Sequence, residues 1–214
     1  MTSKIAALFG LAISLVAISA PAAHSQIDLF PVALGNTWKM SGFAGPQKLE
    51  MVATITKSKS ANGSTKVTMS WNQGENNINE ETYIIRKQYV ARSTSGIGGT
   101  NIIDPPVRII VYPMAVGNSW TWKGTISTPK GVFEGTSTLR VGAKETVKTT
   151  SKSYKAFRVD MVMVVSGSGQ KVSIPNSYWF APGVGMVRQK SEIPNPNGEK
   201  VSVDAKVTEV DIKK

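Results

Sequence analysis

No cysteine occurs in the 214 residues, and the single histidine is His24, close to the N-terminus. A chain without a thiol forms no disulfide and offers no thiolate to a metal or a substrate. With His24 set aside, a Ser-His-Asp triad, a Cys-His pair and a His/Cys zinc centre are all out of reach. Acidic residues are scarce too, with 14 Asp and Glu against 25 Lys and Arg and a formal charge of +11. No Asp-rich loop has calcium-ligand spacing. Ser127 to Lys130 and Ser168 to Lys171 both spell Ser-x-x-Lys, without the helix and companion motifs that nucleophile requires. The sequence therefore predicts no catalytic residue, no cofactor and no metal.

One enzymatic route survives this composition, a carboxylate pair acting on a glycan. Glu80, Glu81, Glu134 and Asp160 lie in or beside strand-like segments. Nothing in their spacing joins any two of them, and isolated carboxylates on strands are usually surface residues.

Long apolar runs are absent beyond the N-terminus. Lys4 precedes an apolar stretch from Ile5 to Ala20, and Pro21 and small residues follow. That order is the pattern of a secretory signal peptide, too short and wrongly flanked for an anchor. Residues 1–25 are read as a cleaved signal, and the remainder as a soluble bacterial protein, periplasmic or secreted. A basic protein there favours lipid headgroups or other anionic envelope components, and no nucleic-acid-binding motif is present.

What remains reads as strands and turns, with no amphipathic helix longer than two turns. Leu49, Met51, Ala53 and Ile55 alternate with polar neighbours, Asn62-Gly63 marks a hairpin, and Val67, Met69 and Trp71 resume at period two. Glu81 to Arg92 reads as one strand and Val107 to Tyr112 as another, separated by a Gly-rich loop and Asp104-Pro105-Pro106. Phe157 to Val165 alternates cleanly, and Val162 and Val164 make it apolar on both faces, which predicts a strand covered on both sides. Ser166 to Gly169 and Asn197-Gly198 mark further turns. The last strand shifts phase between Val207 and Val210, as a β-bulge requires. The fold class is antiparallel all-β, half-barrel or sandwich-like.

Phe30 to Gly42 reappears 82 positions later as Tyr112 to Gly124, with six of 13 positions identical, Pro, Ala, two Gly, Asn and Trp among them. Scarce residue types recurring in register indicate a duplicated unit. The division is 26–108 for the first β repeat and 109–214 for the second. Trp38 and Trp120 are expected as core anchors. Trp122 is matched by Met40 in the first copy, so a pocket confined to one half is expected to involve such non-equivalent positions.

Tyr178-Trp179-Phe180-Ala181-Pro182-Gly183-Val184-Gly185 places three aromatics on one strand, with Trp179 facing away from Tyr178 and Phe180. This segment, together with Pro113 to Trp120, resembles a signature of uncharacterised exported bacterial proteins and lipoproteins. Their boxes read Pro-x-x-x-Gly-Asn-Ser-Trp and Tyr-Trp-Tyr-Ala-Pro-Gly-Val-Gly. The resemblance covers mainly residues 107–190 and implies an antiparallel β fold, of the curved half-barrel kind found in lipoprotein-localisation carriers. It brings no activity, and this chain lacks the lipidated cysteine of the lipoprotein members.

The functional expectation is a non-catalytic exported protein that binds an apolar or amphiphilic envelope ligand through Trp120, Trp122, Tyr178 and Trp179. The alternative is an envelope structural or interaction protein docking through Lys144, Lys148, Lys152, Lys155 and Arg158. The plainer account of those five is a solvated edge, where lysines discourage sheet aggregation.

Overall fold

The computed structural model describes residues 29–167, 169–194 and 199–213. The expected signal peptide, His24 and the Asn197-Gly198 turn lie outside the described residues. Twelve strands follow one another: β1 (Thr37–Ala44), β2 (Gln47–Ala61), β3 (Ser64–Gln73), β4 (Asn76–Arg86), β5 (Tyr89–Ser95), β6 (Asn101–Val111), β7 (Ser119–Thr128), β8 (Gly131–Lys148), β9 (Ser153–Gly167), β10 (Gln170–Ala181), β11 (Gly185–Pro194) and β12 (Lys200–Asp211). Each pairs antiparallel with its chain neighbours, and β12 pairs with β1 to close a barrel.

The half-barrel or sandwich expectation is corrected by this closure. β1 is paired along its whole length on both sides, from Thr37↔Thr54 to Ala44↔Gln47 with β2 and from Thr37↔Asp211 to Ala44↔Val203 with β12. Ring closure removes the free edges that an open sheet would leave at β1 and β12, and the ladder lapses between β6 and β7, which pair only from Ile102↔Ser127 to Asp104↔Thr125. The alternation sends apolar side chains inward. Along β8, Leu139 and Val141 are buried while Glu134, Thr136, Thr138 and Arg140 are exposed. That is the reverse of a membrane-spanning barrel, whose apolar band faces outward. No described helix is long and apolar enough to cross a membrane.

Three local expectations are also corrected. Glu81 to Arg92 is two strands, because Lys87-Gln88 turns the chain between β4 and β5 without Gly, Asn or Pro to mark it. Asp104-Pro105-Pro106 lies inside β6 rather than between strands. Pairing with β7 stops at Asp104↔Thr125, and β5 skips from Thr94↔Ile102 to Arg92↔Val107, so neither proline is asked for a ladder N–H. β9 is not covered on both faces: Val162 is 46% exposed. The phase shift in the last strand is a bulge that leaves Thr208 unpaired opposite Lys39 and Met40.

The recurring segments lead into β1 and β7, six strands apart in the ring, and share one hydrogen-bond pattern. Gly35 N–H donates to the Ile55 carbonyl and Ile55 N–H to the Asn36 carbonyl; Gly117 N–H donates to Val141 and Val141 N–H to Asn118 in the same way. The boundary at 108/109 falls within β6. Gly42 and Gly124 both lie against a neighbouring backbone. A Cβ on Gly42 would meet the Asp204 carbonyl oxygen at 1.9 Å, and one on Gly124 the Asp104 carbonyl oxygen at 2.3 Å. The two tryptophans differ: Trp38 is buried in the interior, whereas Trp120 is only partly buried and packs at the edge of the core.

Candidate functional site

Inside the barrel, at the end where β1 begins, an apolar cavity of about 30 Å³ encloses a small polar cluster. Met40 of β1, Met69 and Trp71 of β3, and Phe180 and Met186 of β10 and β11 supply much of its apolar wall. Its charged members are Glu81 and Arg92, whose side chains are 8% and 15% exposed. The turn at Lys87-Gln88 makes this pair possible. Odd-numbered Glu81 and even-numbered Arg92 would face opposite ways on one strand, but on adjacent antiparallel strands both point inward.

Burying two charges is costly unless each is paired and hydrogen-bonded. Glu81 accepts three bonds: from Trp71 Nε1 at 3.0 Å, the Tyr83 hydroxyl at 2.6 Å and Arg92 NH1 at 2.8 Å. Tyr178 lines the same cavity as Arg92, whose buried Nε has no hydrogen-bond partner among the described residues. Burial pushes the Tyr83 phenol well up, and the adjacent Glu81 carboxylate pushes it further. Burial likewise raises Tyr178, with Arg92 opposing. For Arg92, burial pulls the guanidinium down, and Tyr178, Glu81 and Tyr83 outweigh it, so the net shift is upward and Arg92 stays a cation.

Two residues that precede the first strand help fill this end. Leu29 is fully buried, and Phe30, 5% exposed, lies 4.8 Å from the Tyr83 ring at 54°. Phe30 and Pro31 line the cavity without belonging to the strand ladder.

Of the four predicted ligand-lining aromatics, only Tyr178 lines this cavity. Trp120 and Trp122 close the seam between β6 and β7 instead. Their indole N–H groups donate to the Arg108 and Pro105 carbonyls at 2.8 and 2.6 Å, where the backbone ladder has lapsed. Gly124 and Gly135 lie against the Trp122 ring, which a Cβ on either would meet within 2.8 Å. Trp122 also borders an open depression of about 300 Å³ between β7, β8 and β9, flanked by Thr121, Thr136 and Thr138.

Trp179 faces outward, opposite Tyr178 and Phe180, yet is only 5% exposed. Its indole N–H donates to Glu145 of β8 and its ring lies 4.5 Å from the Arg188 guanidinium. The long β8–β9 hairpin reaches round to this side, where the Ser151 hydroxyl donates to the Thr208 carbonyl of β12. Arg158 is held in that outer network, bonded to Asp160 and Glu145, while Ser177 donates to Asp160. Arg188 grips Asp204 through two bonds of 2.9 and 2.6 Å and so lowers the Asp204 pKa. Lys144, Lys148, Lys152 and Lys155 are exposed on the same hairpin. The Lys144 and Lys152 ammonium groups lie over the Phe157 and Tyr154 rings at 5.2 and 5.3 Å.

The candidate carboxylates are not gathered. Glu80 and Glu81 face opposite sides of β4, Glu134 is on the outer face of β8, and Asp160 is in the Arg158 network. Trp38, Trp71 and Arg92 were not singled out from the sequence as site residues. The available signal was an inward-phase charge, Glu81, in register with Tyr83 and Ile85.

No protein-family profile matches the chain, and no curated protein matches it in sequence. Its backbone is similar to two crystal structures. One is a candidate lipoprotein of Parabacteroides distasonis, 13% identical, with a TM-score of 0.60 over 86% of this chain and 98% of that one. The other is a candidate exported protein with YmcC-like fold of Bacteroides fragilis, 12% identical, with a TM-score of 0.57 over 86% and 99%. At that identity the likeness shows the fold alone: a YmcC-like, closed antiparallel barrel.

Proposed function

We propose that this chain is an exported, non-catalytic barrel that holds a small amphiphilic molecule in the interior beside Glu81 and Arg92. The observation that carries the reading is the buried ion pair in an otherwise apolar cavity. A purely structural core of this size has no need of it, since apolar residues of similar volume fill such a space at equal or lower cost. The unpartnered Arg92 Nε asks for an acceptor oxygen, and Met40, Met69 and Met186 offer an adaptable apolar wall for the rest of the ligand. The cavity of about 30 Å³ is far below the about 300–1,000 Å³ of a ligand pocket. Entry therefore requires Phe30 and Pro31 to withdraw, and they are held by packing rather than by a strand ladder.

Native mass spectrometry of gently purified protein, followed by organic extraction, tests the reading. An added mass is expected, with higher occupancy in Phe30→Ala and lower occupancy in Arg92→Met. A ligand-free mass in both wild type and Phe30→Ala overturns it.

A second reading, an envelope interaction protein with a basic docking surface, draws on the exposed lysines of the β8–β9 hairpin. Capture of an envelope partner, lost when Lys144, Lys148, Lys152 and Lys155 become Ser, is its expected result.

A further inference from the structure

In an up-and-down barrel, strand direction alternates, so every connection can be placed at one end or the other. The end at which β1 begins also receives the β2–β3, β4–β5, β6–β7, β8–β9 and β10–β11 connections. The basic residues are distributed unevenly along this axis. The β2–β3 hairpin brings Lys57, Lys59 and Lys66 to that end, and the β4–β5 turn brings Arg86 and Lys87. The β8–β9 hairpin adds its four lysines. All nine are exposed, and none forms an ion pair among the described residues. Glu209 and Asp211, the acids nearest this end on β12, are each already paired with a lysine.

The opposite end is mixed in charge. Glu50, Glu75, Glu80, Glu134 and Glu192 all lie toward it, and Lys48 and Lys200 there are bonded to Glu50 and Glu192. The excess positive charge of the described chain is therefore concentrated at one pole. The β2–β3 hairpin leaves the ring two strands from β12, and the β8–β9 hairpin curves round until Ser151 bonds the Thr208 carbonyl of β12, so the lysines line this pole from β8 round to β3.

Exposed apolar side chains occur at both ends, with Phe43, Ile97, Ile102, Val132 and Ile193 toward the charge-balanced one, but among the described residues only two coincide with the lysine surplus. Leu34 is 63% and Val116 57% exposed. They are the same position in the two recurring segments, 82 residues apart, ahead of β1 and β7. They are six strands apart. Each is presented by a turn fixed by the hydrogen bonds of Gly35 or Gly117. A face that combines unpaired ammonium groups with projecting apolar tips matches an anionic lipid interface, where basic residues meet headgroups and apolar side chains enter the acyl boundary.

We propose that the pole carrying Leu34 and Val116 docks on an anionic phospholipid bilayer, with those two side chains inserted and the nine basic residues on the headgroups. This deepens the second reading and rests on it, and it is independent of any interior ligand.

Co-sedimentation of the purified protein with phosphatidylcholine vesicles, with or without phosphatidylglycerol, tests it. Residues 1–28 are common to all variants, so differences between variants report on the barrel. Binding is expected only with phosphatidylglycerol and falls steeply as salt rises. Each lysine near an anionic surface contributes about fivefold in affinity, so Lys57→Ser with Lys59→Ser lowers binding about 25-fold. Lys130→Ser with Lys171→Ser, at the other end, leaves it unchanged. Leu34→Ser with Val116→Ser weakens the salt-resistant part of the binding. All these sites are exposed, and circular dichroism confirms that each variant is folded. Equal binding to neutral vesicles, equal loss from both lysine pairs, or no vesicle binding overturns the inference. Capture of a protein partner that depends on the β8–β9 lysines, without vesicle binding, would keep the second reading and discard the bilayer.

Discussion

The Glu81 carboxylate and the Arg92 guanidinium meet at 2.8 Å inside a closed barrel whose other interior residues are mainly apolar. Removing one partner leaves the other charged and uncompensated, at a cost of about 3–5 kcal/mol. Replacing both with apolar side chains of similar volume is expected to be near neutral. Urea denaturation of Arg92→Met, Glu81→Leu and the double variant checks this. Additive losses in the double variant would contradict it.

Tyr83 and Tyr178 extend the same argument to high pH. Both phenols have raised folded-state pKa values, by burial first. A raised value means that their contribution is fully present below the unfolded phenol pKa of about 10 and is lost as pH rises beyond it. Stability is expected to fall above about pH 10. The phenolate absorbance that disappears in Tyr83→Phe or Tyr178→Phe should rise only with cooperative unfolding.

Asp204 works in the opposite direction. Arg188 lowers its folded pKa through hydrogen bonding, so its contribution is present above the unfolded value of about 3.9 and fades as pH falls below it. Asp204→Asn is expected to lower stability at neutral pH and flatten the acid limb of the stability curve. Both groups are partly exposed, so the effect is small, and thermal melts across the acid range measure it.

Gly42 and Gly124 are expected to reject even alanine. The added carbon would meet a backbone oxygen of the neighbouring strand in each case, and crowding of that kind costs about 1–3 kcal/mol or more. Thermal denaturation of Gly42→Ala and Gly124→Ala is the check.

Trp122→Phe removes the indole donor to the Pro105 carbonyl where β6 and β7 have stopped pairing. Pro105 itself is exposed, so water can replace the lost donor and the cost is that of one ordinary hydrogen bond, about 0.5–1.5 kcal/mol. Trp120→Phe, at the partly exposed end of the same seam, is expected to cost less. Hydrogen exchange along β6 and β7 should rise more in the Trp122 variant.

Much of the local structure was legible because turns and strand faces are short-range properties. Asn62 and Gly63 both adopt positive φ, 50° and 69°, as their hairpin requires. Trp179 does face away from Tyr178 and Phe180. The turn at Lys87-Gln88 was not legible, because its residues carry no backbone preference that marks a reversal. Missing it placed Glu81 and Arg92 on opposite faces and hid the interior pair. Trp120 and Trp122 are aromatic and inward in phase, which suits a ligand wall and a seam closure equally; the prolines of β6 decide for the seam.

By itself, the sequence determined the class of structure, the inward phase of strands such as β2 and β3 and the absence of thiol chemistry, since these depend on residue type and on neighbours a few positions away. Which strands meet was decided only in three dimensions. Period-two alternation marks two faces but names no partner, so the pairing of β1 with β12, the interior Glu81–Arg92 contact and the gathering of lysines at one pole follow from ring closure.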